Sequence, residues 1–226
     1  MIAEHTPDPC AIVELRQYTH HPGRRDDLID LFEREFVETQ EAVGMTVIGT
    51  FRDLSDPDRF VWLRGFSDMD ARRTALATFY GGAVWKAHRD VANATLIDSD
   101  NVLLLHSARP GSGFALDQSA GGLVAAMVYP VGEWGALAFI EFFERTLEPA
   151  LVDAGSTVLA TFVTEHAVNT FPTLPVREGE DAFVWFARFV DRVSFDRYRW
   201  AIDAAAHERR PSQVLTLAPT ARSKVR

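Results

Sequence analysis

Phe32-Glu33-Arg34 returns as Phe143-Glu144-Arg145, and around this pair the chain aligns with itself at an offset of 111 residues. The same register pairs Tyr18 with Tyr129, Gly44 with Gly155, and Thr50-Phe51 with Thr161-Phe162. Further on the offset becomes 123, pairing Phe60-Val61-Trp62 with Phe183-Val184-Trp185, and it ends at 112 with Val102 on Val214. Ordered matches interrupted only at loops predict a tandem duplication. The expected parts are a flexible arm over residues 1–11, a first domain over 12–107, a linker over 108–122, a second domain over 123–218 and a tail over 219–226. Pro110, Gly111, Gly113, Gly121 and Gly122 give the linker its composition.

Each repeat reads as strand, helix, two strands, helix, strand. In the first, Ile12 to Tyr18 alternates, Pro22-Gly23 turns, and Leu28, Ile29, Phe32, Phe36 and Val43 fall at helical spacing before Gly44. Met45 to Phe51 and Phe60 to Phe66 are β-branched and aromatic and flank a turn containing Pro57, which predicts a hairpin. Ser67 and Asp70 suggest a capping box for a helix through Tyr80, Gly81-Gly82 breaks it, a second helix runs over Ala83 to Leu96, and Val102 to Leu105 closes the unit. This β-α-β-β-α-β order predicts an α+β, ferredoxin-like sheet with helices on one face only. A bare second face would be a large apolar liability, so the two sheets are expected to face each other, making the chain a built-in dimer.

The chain has 226 residues, 47% hydrophobic and 24% charged, with a formal charge of −9. That balance argues against nucleic acid as a partner, since phosphate recognition needs clustered Lys and Arg. The longest apolar stretch, Leu123 to Val131, is too short to span a bilayer, so no membrane association is expected. Cys10 is the one cysteine, which excludes an internal disulfide and predicts a cytoplasmic protein. His20-His21 lacks a carboxylate at metal-ligand spacing, and G-x-G-x-x-G, P-loop and G-x-S-x-G patterns are missing. Neither a metal nor a nucleotide cofactor is expected.

Strand alternation puts Val13 and Leu15 on one face of the first strand and Glu14, Arg16 and Tyr18 on the other. The apolar pair is expected on the helices and the polar set on the open face between the sheets, joined there by Arg52, Trp62 and Arg64. The offsets map Glu14 to Ala125, Arg16 to Met127, Arg52 to Val163 and Arg64 to Ala187. The space between the sheets should therefore be charged in one half and apolar in the other. The competing reading makes Glu14 and Arg16 a structural ion pair. His88 falls between Val84 and Val91 on an apolar stripe, with Trp85 one turn away, which suits either a general base or a satisfied core histidine. The second repeat carries a long insertion over residues 163–182, in which His166 and Arg177 are the candidate site residues; it should act as a lid or as an oligomer contact.

Glu14-Leu15-Arg16-Gln17-Tyr18, the Pro22-Gly23 turn, Val47-Ile48-Gly49-Thr50-Phe51-Arg52, and Trp62 followed by a capped helix and Trp85 resemble the NIPSNAP domain of the dimeric α/β-barrel group. The resemblance covers residues 12–106 well and 123–217 more loosely. It implies a group containing cofactor-free monooxygenases, polyketide cyclases, lactone isomerases and haem-degrading enzymes, beside members without a known reaction. The leading expectation is a cofactor-independent enzyme acting on an aromatic or polyketide-like compound. In it His88 serves as acid and base, Arg16 and Arg52 stabilise an enolate or carboxylate, and Tyr18 donates a hydrogen bond. Trp62 and Trp85 form walls, with Glu14, Arg64, His166 and Arg177 in substrate contact. The alternatives are a non-catalytic binding or scaffold protein, and a haem binder through His88. The expected partners are a small-molecule ligand and, through the long loop or the sheets, a second copy of the chain.

Overall fold

A computed structural model describes residues 8–116, 121–205 and 209–226. In chain order the first half contains β1 (Ile12–His20), α1 (Arg25–Leu31), a π-helical turn (Phe32–Phe36), α2 (Val37–Glu41), β2 (Thr46–Asp53), β3 (Arg59–Phe66), α3 (Met69–Gly81), α4 (Ala83–Asn93) and β4 (Leu96–Ser107). The second contains β5 (Leu123–Pro130), α5 (Ala136–Phe142), a π-helical turn (Phe143–Leu147), α6 (Glu148–Asp153), β6 (Thr157–Thr164), β7 (Ala182–Phe189), α7 (Arg192–Ala205) and β8 (Gln213–Pro219). All eight strands close into one antiparallel barrel in the order β1-β3-β2-β8-β5-β7-β6-β4.

The two halves have the same strand order, 4-1-3-2 and 8-5-7-6, and are joined at two short seams. One pairs Phe51, Arg52 and Asp53 with Pro219, Ala218 and Leu217; the other pairs Leu105, His106 and Ser107 with Thr164, Val163 and Phe162. Closure therefore occurs within one chain. The Phe-Glu-Arg tripeptide starts a π-helical turn in each half, with the Val37 amide bonding the Phe32 carbonyl and the Glu148 amide bonding that of Phe143. The extra residue in that turn brings Phe32 and Phe36 onto the buried face. Gly44 and Gly155, with φ of 92° and 76°, end these helical segments in the left-handed region that glycine occupies without steric cost.

The face assignment made from strand alternation is reversed. Val13, Leu15, Phe51 and Leu63 point into the barrel, where they pack with Val128, Phe162, Phe186 and Leu217 of the other half. Eight strands leave room for side chains and little else, so the lumen is a packed core. Phe114, in the expected linker, packs on Phe162 and Phe186 at 5.4 and 5.1 Å between ring centres. Cys10 and Val225 belong to the same core, and burial pushes the Cys10 thiol up to about 11. Of the expected N-terminal arm, residues 1–7 lie outside the described residues, as do residues 117–120 of the linker; Cys10 of that arm packs in the barrel core.

Glu14, Arg16, Tyr18, Trp62 and Arg64 instead face the helical layer. The physical reason is partner supply. In the lumen Glu14 would confront apolar strands, whereas α2 and α3 offer Gln40 and Arg72. Other corrections are local. Asp68, not Ser67, caps α3, its Oδ1 accepting the Ala71 amide at 2.7 Å. The second helix stops at Asn93, and β4 begins at Leu96 because β1 extends to His20 and pairs with it.

Candidate functional site

At the centre of the first half Glu14 is wholly buried and accepts three charge-assisted hydrogen bonds. Arg16 Nη1 and Arg64 Nε donate to its Oε2 and Arg72 Nε to its Oε1, each at 2.7 Å. The antiparallel register of β1 and β3 sets Glu14 opposite Arg64 and Arg16 opposite Trp62, and α3 delivers Arg72 from above the sheet. Burial opposes the charge on Glu14, but Arg64, Arg16 and Arg72 together overcome it and hold the carboxyl well below the usual carboxylate range. Glu14 is locked as an acceptor and is no general base near neutrality.

The arginines reach outward from this carboxylate. Arg16 Nε donates to the Tyr18 hydroxyl at 3.0 Å, and Arg64 Nη1 donates to Gln40 Oε1 at 3.1 Å. Arg64 and Arg16 also lie 5.0 and 5.6 Å from the Trp62 ring centre, a cation–π arrangement. Tyr18, Gln40 and Trp62 line a cavity of about 370 Å³ between the sheet and the helices. Phe32, Phe36, Phe79, Tyr80 and Trp85 supply most of its apolar wall. Trp85 packs edge-on against Tyr80 at 4.8 Å and beside Phe36 at 5.6 Å. The Tyr18 phenol is raised above its ordinary pKa by burial, with Arg16 opposing. It remains a hydrogen-bond donor at neutral pH.

The insertion between β6 and β7 forms one wall of this cavity. Phe171, Thr173 and Leu174 line it, and Phe171 stacks on Tyr80 at 6.0 Å. Arg72 Nη1 donates to Asn169 Oδ1 at 3.0 Å, Thr170 Oγ1 donates to the Met69 carbonyl at 3.0 Å, and the Arg177 amide donates to the Val102 carbonyl at 2.8 Å. A loop from the second half thus packs against a cavity in the first. Asn169→Ala removes the Arg72 contact and two internal loop bonds, to the Phe171 amide and the Leu174 carbonyl. It should cost about 1–3 kcal/mol and speed limited proteolysis within residues 165–181. Unchanged cleavage would show that Asn169 does not hold the loop.

Several expected site residues stand elsewhere. Arg52 reaches Asp26 at 2.8 Å on the outside, because its strand position lies at the seam with β8. His88 lies 3.7 Å from Glu35 and beside Phe36 but outside the cavity lining. Its supposed stripe partner Val91 is exposed, and α4 buries only Ala92 fully. His166 pairs with Asp181 at 3.1 Å in an exposed position. Arg177 pairs with Glu180 and Asn101 away from the cavity. Arg72, Gln40 and Phe171 were not anticipated. Arg72 carried a signal, since Met69, Arg72, Leu76 and Phe79 share one helical stripe on which a lone arginine is out of place.

The second half has the same frame with apolar contents. Ala125 pairs with Ala187 and Met127 with Trp185 at the registers that Glu14–Arg64 and Arg16–Trp62 occupy. Phe139, Phe143, Phe183, Trp185, Phe195 and Tyr198 pack in its helix–sheet layer. Among the described residues no group of three His, Cys, Asp or Glu side chains can hold a metal ion, and no helix is long and apolar enough to cross a membrane.

No curated protein matches the sequence. Solved structures similar over the whole chain include a "putative monooxygenase" of Lactobacillus acidophilus, at 13% identity and a TM-score of 0.55, covering 92% of this chain and 93% of that one. Another is a "putative monooxygenase" of Fusobacterium nucleatum, at 12% identity and a TM-score of 0.57, covering 92% and 91%. At these identities the likeness is one of fold. A NIPSNAP family protein of Agrobacterium tumefaciens aligns with 42% of this chain and 91% of its own, at 21% identity and a TM-score of 0.40. The family description that matches the sequence is NIPSNAP, over residues 13–107.

Proposed function

We propose that the first-half cavity is the site of a cofactor-independent enzyme, of the monooxygenase, cyclase or isomerase class, acting on an aromatic or polyketide-like compound. The observation that carries this reading is an aromatic-walled cavity with the Tyr18 hydroxyl at its edge, backed by a buried guanidinium. A tyrosine whose oxygen already accepts from Arg16 presents its own proton to a ligand oxygen, which stabilises an enolate or phenolate as it forms. The wall rings suit a flat substrate, and the loop carrying Phe171 packs along one side of it. We also read the two halves as a duplicated unit in which only one copy keeps a site. The second copy then supplies the apolar half of the lumen and the lid.

A binding or scaffold role is the second reading, and one observation favours it. The cavity lining contains no His, Asp, Glu or Lys side chain, so a proton leaving the substrate must go to water. The haem reading through His88 lacks its axial ligand at the cavity, since His88 stands outside the lining.

Trp62 and Trp85 flank the cavity, so 2-naphthol, an aromatic hydroxyl probe, should quench tryptophan fluorescence saturably. Ala92→Phe projects a ring into the same space, and it should weaken that quenching at least about tenfold while leaving a cooperative melt. Quenching that Ala92→Phe leaves untouched would move the site away from this cavity.

A further inference from the structure

We propose that the natural ligand of this cavity is an anion, with its negatively charged oxygen at the Tyr18 and Gln40 end. The proposal rests on the reading of the cavity as a small-molecule site and names the ligand's charge.

The charge balance of the cluster is the starting point. Glu14 faces Arg16, Arg64 and Arg72, and these four side chains are at most 1% exposed. One carboxylate against three guanidiniums leaves a formal surplus of two positive charges inside the protein. Among the described residues every ion pair of these arginines ends on Glu14. Nη2 of Arg64 and Nη2 of Arg72 are buried without any partner. Buried charge is costly unless matched, and unmatched guanidinium N–H groups are rarer still. A bound anion would supply the missing charge.

The surplus is directed at the cavity. Tyr18 and Gln40 line it, and each is bonded on its far side to an arginine of the cluster. A ligand oxygen accepting from Tyr18 therefore meets a donor polarised by Arg16, in surroundings of low dielectric where such fields are weakly screened. The second half provides the contrast. The offset that pairs β3 with β7 places Phe195 where Arg72 stands, and the first offset places Leu151 where Gln40 stands. With Ala125, Met127 and Ala187 these are all buried and apolar. The frame folds without the charges; they occur where a cavity opens beside them.

A carboxylate and an ionised enol or phenol share the charged oxygen, and four probes separate them. 2-Naphthoate, its neutral isostere naphthalene-2-carboxamide, 2-naphthylmethylamine and 2-naphthol are titrated by tryptophan quenching at pH 7 and fixed ionic strength, 2-naphthol also through its own ionisation. The expected result is an anion bound at least about tenfold more tightly than the carboxamide, with the ammonium weakest. A preference for naphthoate alone identifies a carboxylate; tightening of 2-naphthol on ionisation identifies an enol or phenol as well. In the variant Glu14→Ala/Arg16→Met/Arg64→Ala/Arg72→Phe the preference should vanish while the carboxamide still binds, and Tyr18→Phe should reduce it with the cluster intact. Carboxamide binding as tight as both anions in the wild type would overturn the anion proposal and leave the cavity reading standing. An absence of quenching by every probe would overturn both.

Discussion

Glu14→Ala is expected to destabilise the protein by about 3–5 kcal/mol, measured by denaturant melts at neutral pH. The substitution leaves Arg16, Arg64 and Arg72 buried within a few ångströms of one another without the carboxylate that each of them bonds. Replacing all four residues together by their second-half counterparts, Ala, Met, Ala and Phe, removes the charges as well as their partner. That variant should stay within about 2 kcal/mol of the wild type, since a buried ion cluster and a packed apolar one are close in net worth. The pair of results separates a broken network from a dispensable one. Acid provides a second reading. The folded Glu14 carboxyl lies below its ordinary value, so its contribution is complete above the usual carboxylate pKa of about 4.3 and is lost as pH falls below that toward the folded value. The stability difference between wild type and the fourfold variant should therefore shift against the wild type on acidification. A Glu14→Ala protein as stable as the wild type would mean that the cluster is not the charge-locked unit described.

Residues 1–116 expressed alone should give no stable monomer. Separation exposes Val13, Leu15, Ile48, Phe51, Val61 and Leu63, which the second half covers in the barrel. Each such side chain contributes about 1.5–3 kcal/mol when buried, so the six together, about 9–18 kcal/mol, match the whole 5–15 kcal/mol or so that holds a typical domain. The fragment also loses the loop that caps its cavity. Size-exclusion chromatography with light scattering should show a dimer, built by a second copy taking the place of the missing half, or aggregate. A monomer that melts cooperatively would contradict the account of the lumen as a shared core.

The order of elements was legible from hydrophobic periodicity, because strands and helices here carry different periods and glycines mark their ends. The paired Phe-Glu-Arg tripeptides marked equivalent positions; that these begin π-helical turns has no sequence signature of its own. Alternation separated Glu14, Arg16 and Tyr18 from Val13 and Leu15 correctly, yet it could not tell the lumen from the helical layer, since both faces of this sheet are buried. The decisive facts, the partners on α2 and α3, are tertiary. His88 shows the opposite error. Its spacing from Val84 and Val91 looked like a buried stripe, but Trp85, Ala92 and Asn93 are the residues of α4 that reach the cavity. The role of the insertion was open because a segment from one half covers the other, which local sequence does not encode.

Ligand is expected to bind between sheet and helices of the first half, and not in the barrel. Crystals soaked with 6-bromo-2-naphthoate test it directly, because anomalous scattering places the bromine without reference to the protein phases. One bromine peak is expected among Phe36, Phe79, Trp85 and Phe171, with the carboxylate toward Tyr18 and Gln40. A peak inside the barrel among Leu15, Phe51 and Phe186, or in the second-half layer beside Trp185, would contradict it.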